Sequence, residues 1–141
     1  MNTKDKKSFF QFDNPVLLES VFFENLSYKN DLNKVGQLPF KINKLTGKKQ
    51  KLDNNKMGAS VILTLTTNDK MELTPEIPCF IRVTMRANFV WDEDVFSESD
   101  VNNLLSVNAP SLLLSYIRPK IVALTEDADV TTQHIPFMDF S

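Results

Sequence analysis

Five side chains in this sequence carry the chemistry of a possible site: the carboxylates of Asp92, Glu93 and Asp94, the imidazole of His134 and the thiol of Cys79. Three adjacent carboxylates suit a hard cation. They lack, however, the alternating ligands and mid-loop glycine of a calcium loop. A softer metal needs nitrogen or sulfur donors, and His134 is the only histidine, with no cysteine beside it in sequence. "DED" therefore reads as a solvated acidic link that favours the N-terminus of a following helix. Cys79 lies between Pro78 and Phe80 at a strand start, where a cysteine is a small buried hydrophobe rather than a nucleophile. The glycines, Gly36, Gly47 and Gly58, are too scattered to cradle a phosphate, and there is no GxSxG. The expectation is a chain with no catalytic residue, no metal and no cofactor, and not an enzyme.

Composition narrows the classes further. The 141 residues suit one domain with a real core. A net charge of −2 argues against a nucleic-acid binder, whose footprint is strongly basic. The lysine-rich stretch at 44–51, "KLTGKKQK", has no interleaved aromatic residue and reads as a solvated loop. One cysteine excludes an internal disulfide and points to a reducing, cytoplasmic setting. "NTKDKKSFF" does not look like a secretory leader, and no run of about 18 uncharged apolar residues exists to span a membrane. Phenylalanine stands out, with eleven against one Trp and two Tyr. Its ring has no polar handle, so the excess implies a large dry core, a sticky surface or both.

Several elements must carry these residues. Residues 1–13 are polar and lysine-rich and are expected to be flexible. Residues 14–141 form a single domain, with a sheet over 16–91, a helix over 98–126 and an apolar tail over 134–141. Four strands are legible. "SVFFENLSYK" (20–29) carries Phe on both faces. "PFKINKLT" (39–46) sets Phe40 and Ile42 against Lys41 and Asn43. "ASVILTLTT" (59–67) points Val61, Leu63 and Leu65 one way. "FIRVTMRANFVW" (80–91) alternates most cleanly, with Ile81, Val83, Met85, Ala87, Phe89 and Trp91 opposite Arg82, Thr84, Arg86 and Asn88. That alternation belongs to an antiparallel sheet with one dry and one wet face. Ser97 and Asp100 then fit a helix cap, and apolar residues recur at helical spacing from Val101 to Leu124. Strands followed by one helix define an α+β fold.

The helix contains a contradiction. "LLSVNAPSLLLSYIRP" (104–119) is the most apolar stretch of the chain, yet it holds Pro110 and Pro119. Proline is harmless in a first helical turn and disruptive within a helix. Pro110 is therefore expected to mark a joint, and Pro119 a kink that frees the carbonyl of Ser115. The apolar arc is also wider than one sheet needs. Either the helix is sunk in a core on all sides, or a second partner covers it, most simply another copy of the chain. Self-association is the expectation, through Leu104, Leu105, Leu112, Leu113, Tyr116 and Ile117.

These residues carry a resemblance. "FVW" at the end of the fourth strand, the acidic link, "LLSVNAPSLLLSYIRPKIVAL" and the closing "IPFMDF" resemble the SecB family of bacterial protein-export chaperones. Ala109–Pro110 before a Leu-rich run, Tyr116 and Arg118 after it, and Ile135, Pro136 and Phe140 in the tail are the matching positions. The likeness spans roughly residues 16–140 and is most specific at 104–140.

The resemblance implies a four-stranded antiparallel sheet packed by a long helix, in a homotetramer built as a dimer of dimers. It implies a holdase that keeps unfolded preproteins competent for translocation and hands them to the SecA motor. Clients would lie in apolar grooves and pair with sheet edges. Candidate groove residues here are Phe22, Phe23, Phe40, Ile42, Phe137 and Phe140, each of which is equally a core residue by type. Glu24 is the candidate for motor docking, although Arg82 and Arg86 put positive charge on the wet sheet face. The best-known members continue past the terminal Phe into a lid helix and a mobile tail, which this chain, ending at Ser141, is expected to lack. That departure motivates an alternative: a SecB-like scaffold dedicated to one partner, such as an antitoxin of a toxin–antitoxin system, without SecA docking. No nucleic acid, membrane insertion or cofactor is expected in either case.

Overall fold

The computed structural model describes residues 10–28 and 36–141. One antiparallel sheet contains six strands: β1 (Phe10–Phe12), β2 (Val16–Glu24), β3 (Lys41–Thr46), β4 (Gln50–Lys51), β5 (Lys56–Thr66) and β6 (Cys79–Asp92). The expectation of four strands is thus corrected to six, and the reason is in the pairing. β1 and β2 lie end to end along the same side of β6, while β3 and β4 lie end to end along the same side of β5. Six strands fill four lanes.

Each missed strand has a local cause. β4 is two residues long, too short for a visible period, and it comes after a break at Gly47, whose amide bonds Ser60 O at 2.7 Å. It returns to β5 through Asn54 and Asn55, with φ of 61° and 58°. Asparagine tolerates this left-handed backbone at low cost. The lysine-rich 44–51 segment is therefore largely strand rather than loop. β1 falls at the end of the N-terminal segment expected to be flexible. Phe10 pairs with Trp91 and stacks on its ring at 5.1 Å, which fixes the backbone there; residues 1–9 lie outside the described residues. The strand expected at 20–29 starts earlier, at Val16, and ends at Glu24, with Leu26–Tyr28 in a short 3₁₀ turn and Lys29 outside the described residues. A β-bulge between Leu17 and Glu19 shifts its side-chain phase, so its apolar start does not alternate with its end.

The helical region runs from Glu98 to Glu126 in three parts. Helix α1 (Glu98–Asn103) is capped by Ser97, whose hydroxyl accepts the Asp100 amide at 3.1 Å. A π-turn (Leu104–Asn108) comes next, then helix α2 (Ala109–Glu126) with Pro110 in its first turn. The π-turn is the joint that Pro110 requires. Proline has no N–H to offer Ser106 O, four residues back. That carbonyl instead accepts Lys44 Nζ, from β3, at 2.8 Å. Pro119 lies inside α2 on its exposed side, and the carbonyl it frees belongs to the exposed Ser115.

Helix α2 lies across β5 and β6. Ala109, Leu113, Leu114, Ile117 and Ile121 pack onto Val61, Leu63, Leu65, Ile81, Val83, Met85 and Ala87 in one dry layer. The opposite sheet face is wet and forms rungs across the lanes. Val21, Arg82, Thr66 and Lys41 make one; Glu19, Thr84, Thr64 and Asn43 the next; Val16, Arg86, Ile62 and Leu45 a third. Past α2 the chain turns back as an extended tail. Arg118 Nε donates to Ile135 O at 2.6 Å and Lys44 Nζ reaches Phe140 O at 3.4 Å, so the tail runs antiparallel to α2 toward the π-turn.

One buried polar group fixes that path. Gln133, 0% exposed, accepts the Leu38 amide on Oε1 at 2.7 Å. Its Nε2 donates to Gly36 O at 2.9 Å and Thr131 O at 2.8 Å. Its own amide donates to Thr125 Oγ1 at 2.9 Å. Gln133 thereby joins three separate segments and meets the rule that buried polar groups are paired.

Candidate functional site

Two of the three adjacent carboxylates are held in ion pairs, and the exposed Asp94 follows them. Asp92 Oδ1 pairs with Lys56 Nζ at 2.5 Å, and Glu93 lies 3.6 Å from Lys51 Nζ. Both pairs tie the end of β6 to the β4–β5 hairpin. His134 is exposed in the tail. Among the described residues no three His, Cys, Asp or Glu side chains come together as metal ligands would. Cys79 is fully buried; burial, and secondarily the charge of Glu24, push its thiol up to about 12. A thiol so protonated at neutral pH is a poor nucleophile.

The six candidate groove residues fall into two places. Phe22 and Phe23 are consecutive on β2 and point to opposite faces, as the strand period demands. Phe22 pairs in register with Ile81 on the dry face, and the Phe22–Glu24 segment lines a shallow depression with Leu124, Asp127, Ala128 and Asp129. Phe23 stacks on Phe80 at 5.2 Å on the wet face, with Arg82 over the Phe80 ring at 5.0 Å. Phe40, Ile42, Phe137 and Phe140 gather at the other end of the sheet, around β3 and the tail. There Phe137 is 86% exposed, with the Arg118 guanidinium 4.1 Å from its ring centroid, a cation–π contact. Phe140 is half-buried under Lys44. The six side chains do not line one groove, because β5 and β6 separate the two sets. Glu24 ends β2, where its Oε1 accepts the Asp129 amide at 3.3 Å.

The proposed interface residues separate in the same way. Leu105, Leu113 and Ile117 are 2%, 0% and 0% exposed within the single chain, so they hold the helix to its own sheet and cannot meet another subunit. Leu104 and Leu112 are half-buried and Tyr116 is exposed, and these three remain accessible.

Sequence reasoning passed over the most exposed apolar strand segment. Val16, Leu17 and Leu18 open β2 at 44%, 43% and 45% exposure. Among the described residues β2 pairs only with β6, so within them its outer side offers unpaired backbone groups beside these side chains. β3 forms the opposite edge, pairs only with β5 among the described residues, and carries Ile42 and the 60%-exposed Leu45. A signal did exist: "PVLL" is an apolar run after a proline, and proline in a sheet favours edges. Natural edge strands are commonly short, charged or covered, and an open apolar one is a template for pairing with another chain.

No protein-family model matches the chain, and no curated protein matches its sequence. Solved structures do match its fold. A protein of unknown function from Streptococcus agalactiae aligns with a TM-score of 0.50 at 14% identity, covering 94% of this chain and 100% of that one. The Mycobacterium tuberculosis SecB-like chaperone Rv1957, solved in complex with a ChAD peptide from the Rv1956 HigA1 antitoxin, aligns with a TM-score of 0.50 at 13% identity, covering 92% of this chain and 90% of that one. At this identity the likeness is one of fold: an antiparallel sheet with one C-terminal helical region, of the SecB-like kind.

Proposed function

We propose that the protein is a SecB-like polypeptide-binding chaperone that captures extended apolar segments at its sheet edges. The observation that carries this is the β2 edge, which among the described residues is unpaired on its outer side and exposes Val16, Leu17 and Leu18. An incoming strand takes affinity from main-chain hydrogen bonds and selectivity from its alternate side chains. Apolar edge residues demand no particular partner sequence, because no buried polar group must be matched. Binding of this kind needs no catalysis. The narrower form of the proposal is a cytoplasmic holdase for unfolded preproteins, assembled as a tetramer through Leu104, Leu112 and Tyr116 and handing clients to SecA at Glu24.

A second reading, a scaffold dedicated to one partner such as an antitoxin, is favoured by the antitoxin peptide in the Rv1957 complex. Light-scattering assays of a chemically unfolded client test the first reading. Suppression at stoichiometric protein, weakened by Leu17→Asp, supports a generalist. Full aggregation in the presence of well-folded protein would refute it, and a single stoichiometric partner by pull-down would favour the second. Native mass tests the assembly: four copies of the 16.1 kDa chain give about 64 kDa.

A further inference from the structure

The wet face of the sheet contains an arginine that the fold does not explain. Arg86 lies near the middle of β6, half-buried, and among the described residues its guanidinium makes no ion pair and no hydrogen bond. Its Nε is shielded from solvent and has no partner. The other arginine of this face behaves differently: Arg82 lies 3.7 Å from Glu19 and donates to Asp69 O at 3.4 Å. The lysines on this face are also matched, Lys41 by Asp69 and Lys56 by Asp92. A buried polar atom without a partner is uncommon, and a half-desolvated cation without a counter-charge is costly.

The surroundings indicate what would satisfy it. Arg86 is flanked in register by Val16 on β2 and Ile62 on β5, and Leu45 lies beyond Ile62 on β3. Val16 and Leu45, at the two ends of this row, are 44% and 60% exposed. The adjoining rungs, with Thr64–Thr84 and Ser60–Asn88, are polar and internally hydrogen-bonded at 2.9 and 2.6 Å. One apolar row with a single unmatched guanidinium therefore crosses an otherwise satisfied polar face. Arginine ringed by apolar contacts is a common anchor of protein interfaces, and its planar fork matches a carboxylate.

We propose that this row is a docking surface for a protein partner that presents a glutamate or aspartate flanked by apolar side chains, with Arg86 as the anchor. The charge decides between partners: a basic surface would be repelled here, and a neutral one would leave Arg86 buried deeper and still unpaired. The row is on the opposite side of the sheet from α2 and the tail, and capture at the β2 edge does not require Arg86.

The probe is a dye-labelled nine-residue peptide with one glutamate between leucines in a serine background. It is compared with the same peptide carrying glutamine or lysine instead, by fluorescence anisotropy at low and high salt. The glutamate peptide should bind about tenfold tighter than the lysine peptide, and the preference should shrink in high salt. Arg86→Gln should abolish the preference, Arg86→Lys should keep part of it, and Lys70→Gln, at an exposed loop, should leave it unchanged. Folding of each variant is checked by its unfolding midpoint. Equal binding of all three peptides, or a preference that survives Arg86→Gln, overturns the proposal. So does self-association that Arg86→Gln abolishes, since a second copy would then occupy the row. Loss of client capture by Leu17→Asp with the glutamate preference intact separates this surface from the edge.

Discussion

Replacing Gln133 tests how the tail is held. Gln133→Met keeps the length of the side chain and removes its hydrogen bonds, so it isolates the polar contribution from the volume. The Leu38 amide, in a residue only 2% exposed, then loses its acceptor. Stranding a buried donor costs about 1–3 kcal/mol. The carbonyls of Gly36 and Thr131 belong to exposed residues and can return to water, so each loses only a net bond of about 0.5–1.5 kcal/mol. The sum centres on about 4 kcal/mol, and Gln133→Ala adds a cavity to it. In urea, with a slope of about 2 kcal/mol per molar, the midpoint should fall by about 2 M. Hydrogen exchange supplies the local reading, because the Leu38 amide should be protected in the native protein and exposed in the variant. A Gln133→Met stability within about 0.5 kcal/mol of the parent would refute the reasoning. So would a native Leu38 amide that exchanges as fast as that of the exposed Gln37.

The other predictions each rest on a single contact or burial. Leu113→Ala, at a fully buried position against the sheet, should destabilise the chain by about 2–5 kcal/mol, whereas Tyr116→Ala should leave the unfolding of the isolated protomer within about 1 kcal/mol. Comparing their midpoints checks which helix face is core. Cys79 should resist a water-soluble thiol reagent at pH 8 until the protein is unfolded. Its folded-state value of about 12 lies above its ordinary 9.0, so the folded state holds the proton more tightly. That contribution is complete below pH 9 and is lost as pH rises from 9 to 12, so an unfolding series should show falling stability across that window, reduced in Cys79→Ala. Lys44→Met should strip the Ser106 carbonyl of its cation and raise exchange in the π-turn, with little effect on β6. Unchanged exchange there would mean that water serves the carbonyl equally well.

How much of the structure was legible depended on whether one period held along an element. β6 alternates strictly from Ile81 to Asp92 because it is paired on both sides and packed on one face there, so its pattern predicts the observed strand to within a residue or so. The helix bounds at 98 and 126 also agree with the capping serine and the polar "TEDAD" stretch. The helix residues that face the sheet were not separable from those that stay accessible. A regular wheel from Val101 puts Leu112 and Tyr116 on the buried stripe, whereas the π-turn inserts an extra residue and rotates the later turns by about 100°. Beyond it the stripe is Ala109, Leu113, Ile117, Ile121, with Leu114 beside it. The bulge at Leu18 had the same effect on β2, hiding the exposed edge. The two-place distribution of the phenylalanines was not legible at all, since it depends on which lane each strand occupies rather than on any local pattern.

The Gln133 contact also bears on the order in which the molecule is made. It closes a loop of 95 residues between Leu38 and Gln133, among the longest sequence separations in the fold. Contacts this distant form late, because the chain between them must first be organised. During synthesis β3 can pair with β5, and β5 with β6, well before residue 133 exists. Until then Leu38 has no partner, and the dry face between α2 and the β3 edge stays open. A polypeptide-binding protein would thus pass through a nascent state more adhesive than its finished one, and its own tail would be the first extended apolar segment laid along that open face.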